Sequence, residues 1–324
     1  MSFDRKISLV IVTYNSEKYI LKNLSSVYQY ASNIINQIIV SDSNSSDNTV
    51  KIIKENFPNV EIIKGENRGY GSALNAGFKK CKNDYIIGSN DDIYFIDDSL
   101  SNIFNVFDNN KNVGILGPKL LYEDLSLQTS ITNNPMIIKD CLQIVFPNII
   151  NINNTFFKNL IKPLEKFSII GRFDSHNDSK IVTSVKGAFF VIKKEVFSDT
   201  QGFDHRVNFI AEEQIFSLKA KRKGWKTFYA PTVNIVHIGG LSLGSVTSES
   251  NLKRFAVRIQ SILLFYKYYQ PFLLYLISFF SFFIALLLRG IYLFFIRSND
   301  RKTIYFTLKL FINGTITSSN IYEK

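Results

Sequence analysis

The chain reads as an α/β protein, with a mostly parallel central sheet flanked by helices and a C-terminal membrane-associating helical tail. Two observations predict this. Through the first part of the chain, short apolar runs alternate with stretches of helical period, the βαβ pattern that builds a parallel sheet covered by helices. After about Ser250 the composition shifts to aromatic and aliphatic runs flanked by lysine and arginine. A third observation locates function: polar clusters close the early runs, and ligands on such sheets sit beyond the carboxyl ends of the strands.

Ile7 to Val12 is an unbroken apolar run bounded by Thr13-Tyr14-Asn15-Ser16, as expected of a buried strand. Tyr19 to Tyr30 carries Ile20, Leu21, Leu24, Val27 and Tyr28 at helical spacing. Gln37 to Val40 is the second strand and ends in Ser41-Asp42-Ser43-Asn44-Ser45-Ser46-Asp47. A helix over 48–56, a strand over 60–64, a helix over 71–80 and a strand over 85–88 continue the alternation. A helix is expected from Asp97 to Phe107, and a strand over 113–118. Residues 123–180 are Asn-rich, broken by Pro135, Pro147 and Pro163, and are expected to form a variable region over the site. Regular structure is expected again over Ile181 to Ile192 and Phe203 to Phe209. The helix from Glu212 to Lys223 opens on acids and closes on Lys221, Arg222 and Lys223 before Gly224, which suits the helix dipole at both ends. Lys226 to Ala230 and Val233 to His237 read as strands, and Trp225 as a packing residue.

With 324 residues the chain is long enough for one large domain or a domain with an appendage. Two cysteines give neither a disulfide framework nor metal-ligand spacing, which fits a reducing compartment. Met1 to Lys6 is polar and Ile7 to Val12 is too short for a signal core, so the N-terminal part is expected in the cytoplasm. The net charge of +11 calls for an anionic partner. No nucleic-acid module appears, and the basic residues near the C-terminus interleave with apolar runs, a membrane-surface pattern. Phe272 to Leu288 has no charge, but its 17 residues fall short of the ~20 that cross a bilayer. Lys253, Arg254, Arg258 and Lys267 flank it on one side, and Arg289, Arg297, Arg301 and Lys302 on the other. That symmetry favours a segment over 268–296 that lies in the cytoplasmic leaflet rather than a single span.

The acidic triplet Asn90-Asp91-Asp92 follows the strand run Tyr85-Ile86-Ile87-Gly88. A carboxylate pair there is placed to hold a divalent cation and, through it, a diphosphate; turn and helix-cap roles fit the same residues. Asp42 and Asp47 carry the same two readings. In Asn67-Arg68-Gly69-Tyr70-Gly71, small residues let backbone approach a ligand, and Arg68 offers a charge to phosphate.

Taken in order, these segments resemble family 2 glycosyltransferases of the GT-A (Rossmann-like) fold, in the bacterial rhamnosyltransferase-like branch. The resemblance runs from about Ile7 to Ser242 and rests on the motifs above together with Gly187-Ala188-Phe189-Phe190, Gly202-Phe203-Asp204, Glu212-Glu213 and His237-Ile238-Gly239-Gly240-Leu241-Ser242. It implies a transferase domain over 1–245, with a nucleotide-binding half (1–95) and an acceptor half (96–245), and a tail over 246–324. It implies a nucleotide-sugar site of Thr13, Tyr14, Asn15, Asp42, Ser43, Arg68, Gly69, Asn75, Asn90 and Asp91. Asp92 would be the main ligand of Mg²⁺ or Mn²⁺, with His237 completing the metal site, and Glu213 would be the catalytic base. The family has Asp where this chain has Asn90, which leaves fewer direct charges for the ion. The implied activity is inverting transfer of a hexosyl or deoxyhexosyl group from a UDP- or dTDP-sugar to a glycan, or polyprenyl-diphosphate-linked glycan, of a surface polysaccharide or O-antigen. The implied location is the cytoplasmic face of the plasma membrane, peripheral or with one span. A nucleotidyltransferase, or a non-catalytic membrane-bound subunit that binds nucleotide sugars, fits the nucleotide motifs as well.

Overall fold

The computed structural model describes residues 5–145, 177–206, 211–239 and 248–295, together with Ile304, Tyr305 and Leu308. The chain divides into two compact units. The first comprises Met1–Thr132, Ser175–Asn208 and Glu212–Ser242; the second comprises Asn133–Asp174, Phe209–Ala211 and Leu243–Lys324.

In the first unit β1 (Ile7–Thr13), β2 (Ile35–Asp42), β3 (Glu61–Lys64) and β4 (Tyr85–Asn90) pair in parallel in the order β3-β2-β1-β4. Helices α1 (Ile20–Tyr30), α2 (Thr49–Asn56) and α3 (Tyr70–Phe78) make the crossovers. The parallel order expected from the alternation is therefore present. The chain then continues through β5 (Ile93–Phe95), α4 (Asn102–Asn109) and β6 (Val113–Leu121).

Several elements beyond this point were not visible in the periodicity. Within 123–145 lie β7 (Leu127–Gln128), β8 (Ile131–Thr132) and α5 (Ile137–Val145). The single run expected over 181–192 breaks into β9 (Lys180–Val182), β10 (Ser184–Val185) and β11 (Phe189–Lys193), followed by α6 (Lys194–Thr200). Described residues of Phe203 to Phe209 form turns rather than a strand, and 207–209 lie outside the described residues, as do Gly240-Leu241-Ser242. After α7 (Glu212–Arg222), the two runs at the end of the unit form one strand, β12 (Lys226–His237), which shifts register between Ala230 and Asn234 around Pro231. Proline has no N–H to give to the ladder, which is why the run looked like two.

The whole sheet runs β3-β2-β1-β4-β11-β6-β12-β5, with β11 antiparallel to both β4 and β6, β12 parallel to β6, and β5 antiparallel to β12. Alternate side chains feed two cores. Leu9, Ile11, Ile87 and Phe189 pack with Leu24 and Val27 on one face; Val10, Ile86, Phe190 and Ile192 pack with Leu74 and Phe78 on the other. Helix α3 lies so close to β1 that a Cβ on Gly77 would come within 2.3 Å of Val10 Cγ1.

In the second unit α8 (Ser248–Tyr269) and α9 (Phe272–Phe295) follow one another, and α9 packs on both α5 and α8. Arg258 bonds Gln143 and lies 3.8 Å from Asp140, and the Tyr266 hydroxyl donates to Pro135 O at 3.0 Å. The uncharged 17-residue run is only part of α9. The helix continues through Arg289, whose Nη1 donates to Val145 O at 3.2 Å. Among the described residues, α9 is the helix long and apolar enough to cross a membrane.

Candidate active site

Sheet register brings the candidate residues to one end. Thr13 at the end of β1 pairs with Asp42 at the end of β2, and Val12 pairs with Asn90 at the end of β4. From the reversed strand β11, Phe189 pairs with Ser89, and the Asn90 N–H donates to Ala188 O at 2.9 Å. At the far side His237 pairs with Ile93, and Ile238 N donates to Asp92 O at 2.9 Å.

Asp42 is buried and fully engaged. Its Oδ1 accepts from Thr13 Oγ1 (2.9 Å) and Ser45 Oγ (2.6 Å), and its Oδ2 from Ser45 N (3.0 Å). Ser43, also buried, donates its N–H to Thr13 O. Asn15, in the left-handed region at φ 53°, accepts from Ser46 N at 2.8 Å, and Tyr14 is exposed beside it. These residues form a polar rim at the ends of β1 and β2. Asp47 instead holds the start of α2: it accepts from Thr49 N and Oγ1 and from Glu17 N.

Gly69, at φ 91°, precedes α3. Arg68 is exposed and paired with Glu66 at 2.7 Å. Asn75 has both amide atoms committed to one backbone: Nδ2 donates to Phe203 O (2.9 Å) and Oδ1 accepts from Phe203 N (2.8 Å). It ties α3 to the turn before α7. Trp225 is half-buried against the core, with Nε1 donating to Asp199.

The acidic triplet splits by environment. Asp91 accepts a hydrogen bond from Ser16 Oγ, and burial, with the Asp92 charge adding, pushes its carboxyl up to about 7 against that bond. Asp92 is more deeply buried. Burial works to raise it, but the adjacent His237 ring and the Asn90 side chain outweigh that and hold it below the ordinary carboxylate range. His237 Nε2 lies 3.3 Å from Asp92 Oδ1. Both Asp92 oxygens and His237 Nε2 are buried with no hydrogen-bond partner among the described residues.

These three buried, unpartnered atoms lie close together and fit a hard divalent cation, since carboxylate oxygen and imidazole nitrogen are both suitable ligands. Among the described residues no group of three or more His, Cys, Asp or Glu side chains forms a metal site. Two protein ligands are the usual allotment where substrate phosphates supply the rest.

Glu213, in the first turn of α7, is half-buried, and burial raises its pKa against hydrogen bonds from backbone N–H groups and the charge of Lys186. Its neighbour Glu212 points inward: Oε1 accepts from Gly71 N at 3.0 Å, and burial pushes the carboxyl up to about 8.

Three residues not singled out from the sequence belong to this site. Tyr70 donates to Gly187 O at 2.6 Å, and burial raises its pKa well above the ordinary value, with the charges of Glu213, Glu212, Asp92 and Asp91 adding. Lys186 lies within the fields of both Asp92 and Glu213, while burial lowers its pKa. Gln128, from β7, contacts His237 Nδ1 at 2.6 Å. Tyr70 lies inside a quoted motif, and Lys186 directly precedes another. Gln128 had no signal, being in an Asn-rich stretch without period.

The chain is 21% identical over 251 residues to N-acetylglucosaminyl-diphospho-decaprenol L-rhamnosyltransferase of Mycobacterium tuberculosis, covering 73% of this chain and 77% of that one. It is 26% identical over 229 residues to poly-beta-1,6-N-acetyl-D-glucosamine synthase of Staphylococcus aureus, covering 69% of this chain but only 48% of the synthase. In fold it is similar to a mannosyltransferase from Pyrobaculum calidifontis solved with GDP-Man and Mn²⁺ (TM-score 0.52, 15% identity, 99% of this chain and 79% of that one). It is also similar to GalNAc-T7 solved with UDP, GalNAc and Mn²⁺ (TM-score 0.54, 14% identity, 78% and 48%). Residues 141–317 match the profile of Glycosyl transferase family group 2. Residues 8–200, more than half of the chain, match the profile of Glycosyl transferase family 2, and the chain belongs to that family.

Proposed function

We propose that this glycosyltransferase moves a hexosyl or deoxyhexosyl group, with inversion, from a UDP- or dTDP-sugar to a growing glycan carried on a polyprenyl diphosphate. The observation that carries the reading is the convergence of the orphaned Asp92 and His237 atoms with Glu213 and Lys186 at the carboxyl end of the sheet. A rhamnosyltransferase and a polysaccharide synthase among the relatives support the acceptor class.

Asp42, Thr13, Asn15 and Ser43 would receive the nucleoside, with Tyr14 and the Arg68-Gly69 turn beside it. Asp91 and Asn90 would lie toward the ribose and diphosphate, and Asp92 with His237 would hold Mg²⁺ or Mn²⁺. An ion bound there would neutralise charge on the departing diphosphate. Glu213 takes the proton of the acceptor hydroxyl as its oxygen bonds to the anomeric carbon. The bond from that carbon to the diphosphate breaks, and its electron pair leaves with the nucleoside diphosphate. A carboxylate whose pKa is raised toward the working pH is a stronger base for that step. Lys186 offsets negative charge between the two carboxylates.

The second unit would hold the enzyme at the cytoplasmic face of the membrane. One face of α9 is exposed and apolar, including Phe272, Leu273, Phe280, Ile284, Leu288, Ile291 and Phe295. The opposite face, with Ser278, Phe282, Leu286 and Leu293, is buried. Lipid hydrocarbon is the solvent for the exposed face, and a helix packed along its other flank lies in the leaflet rather than crossing alone.

The test is product analysis. Protein in detergent or membranes is given Mn²⁺, a panel of UDP- and dTDP-sugars and a polyprenyl-diphosphate-linked sugar. Release of nucleoside diphosphate with an inverted glycosidic bond is expected, with Glu213→Gln inactive. Release of pyrophosphate, or full activity of Glu213→Gln, overturns the reading.

A further inference from the structure

Gln128 occupies an unusual place: a fully buried amide on a two-residue strand, in the part of the chain with no sequence signal. Strand β7 pairs with β6 through Leu120 and Gln128. Ser130 Oγ donates to Gln128 O at 3.0 Å and itself accepts from Leu120 N at 2.8 Å. The backbone beneath the side chain is thus pinned from two sides.

Two neighbours decide which way the amide faces. Its Nε2 lies 3.2 Å from His237 O, a carbonyl that can only accept. Its Oε1 lies 3.3 Å from Lys186 Nζ, an ammonium that can only donate. Both contacts require the same orientation, so Oε1 is an acceptor wherever else it reaches. It reaches His237 Nδ1 at 2.6 Å, which places a proton on Nδ1. In a neutral imidazole the remaining nitrogen, Nε2, then carries a bare lone pair, and this is the orphaned atom 3.3 Å from Asp92 Oδ1. Between that nitrogen and a carboxylate oxygen the contact is attractive only when a proton or a cation is shared between them.

The next residues leave Gln128 little room to move. Gly239 sits at φ +67°, and a Cβ there would come within 2.9 Å of Gln128 Nε2 and 3.4 Å of the His237 ring. The chain leaving β12 therefore wraps the amide closely, and only glycine suits both the backbone angle and the space.

We propose that Gln128 is a positioning residue that fixes the tautomer and orientation of His237, so that Nε2 and Asp92 present a cation-binding pair to the donor diphosphate. Lys186 supports it by orienting the amide. The proposal rests on the reading of Asp92 and His237 as metal ligands. A ring nitrogen fixed by a hydrogen bond from outside the coordination sphere is a recurring device for tuning metal affinity.

The test uses the full-length protein with two readouts. Ring ¹⁵N NMR of metal-free protein reports the His237 tautomer, with His237→Asn assigning its signals among the three histidines. Electron paramagnetic resonance reports Mn²⁺ affinity in the presence of UDP or dTDP. Wild-type His237 should carry its proton on Nδ1. Gln128→Leu should move the proton to Nε2, where Asp92 becomes its acceptor, and weaken Mn²⁺ about 10- to 100-fold. Gln128→Glu, which keeps an acceptor at Nδ1, should leave the proton on Nδ1, and it carries the test with the wild-type spectrum if the leucine variant does not fold. Wild-type protonation on Nε2 alone, or Gln128→Leu with unchanged ring shifts and Mn²⁺ affinity, overturns the proposal. Failure of wild-type protein to bind Mn²⁺ overturns the metal reading, and the metal-free ring shifts still decide for or against Gln128.

Discussion

Glu212→Gln should remove much of the stability the protein loses as pH rises from about 5 to about 8. Glu212 is 5% exposed, and burial, with the Glu213 charge adding, lifts its carboxyl from 4.5 to about 8 against the Gly71 hydrogen bond. Well below 4.5 the group is protonated in both the folded and unfolded chain and contributes no pH dependence. Between 4.5 and about 8 the unfolded chain gives up its proton while the folded one keeps it, so stability falls by about 1.4 kcal/mol per pH unit. Above about 8 the loss is complete, at roughly 5 kcal/mol. Glutamine has no charge to bury, and its Oε1 can still accept from Gly71 N, so the turn into α3 is kept. The assay is guanidinium unfolding of both proteins in mild detergent across pH. The variant should gain about 4 kcal/mol on wild type between about pH 5 and about pH 9, nearly all of it below the raised pKa. Parallel stability curves over that window would refute the reasoning, because the carboxyl would then ionise as easily folded as unfolded.

Three further outcomes are expected. Asp42→Ala strands the Thr13 hydroxyl and the Ser45 N–H and hydroxyl; it should cost about 1–3 kcal/mol in unfolding experiments and raise the donor KM more than it lowers kcat. Gly77→Ala forces a methyl to within 2.3 Å of Val10 and should lower stability by about 1–3 kcal/mol. Gly65→Ala, which meets nothing within 4 Å, is its control and should change the denaturant midpoint little. Because Glu213 must be ionised to accept a proton and its pKa is raised, transfer rate should rise with pH through a limb lying above 4.5; a rate profile with its midpoint at or below that value contradicts the assignment.

What the sequence made legible follows from what periodicity reports. A run such as Ile7 to Val12 announces burial on both faces, and the polar residues that end it mark the carboxyl edge of a parallel sheet, so Thr13, Asp42 and Asn90 could be grouped before any fold was known. The reversed strand β11 is different. Its residues are as apolar as those of β4, and nothing in Phe189–Lys193 states that it runs antiparallel between β4 and β6. Yet that reversal places Lys186 and Gly187 beside Glu213 and the acidic triplet. Asn75 shows what polarity alone does not tell: an amide at helical spacing looks free, but one N–H and one lone pair of it hold the Phe203 backbone. Asp91 and Asp92 are adjacent and chemically alike, and burial, the His237 ring and the Asn90 side chain drive their pKa values apart. Gln128 is the extreme case, because its meaning lies wholly in three contacts to residues 58 and 109 positions away. Local pattern identifies residues that an element needs; residues that a site needs are held by contacts of long sequence separation, and those become visible only once the strands are in register.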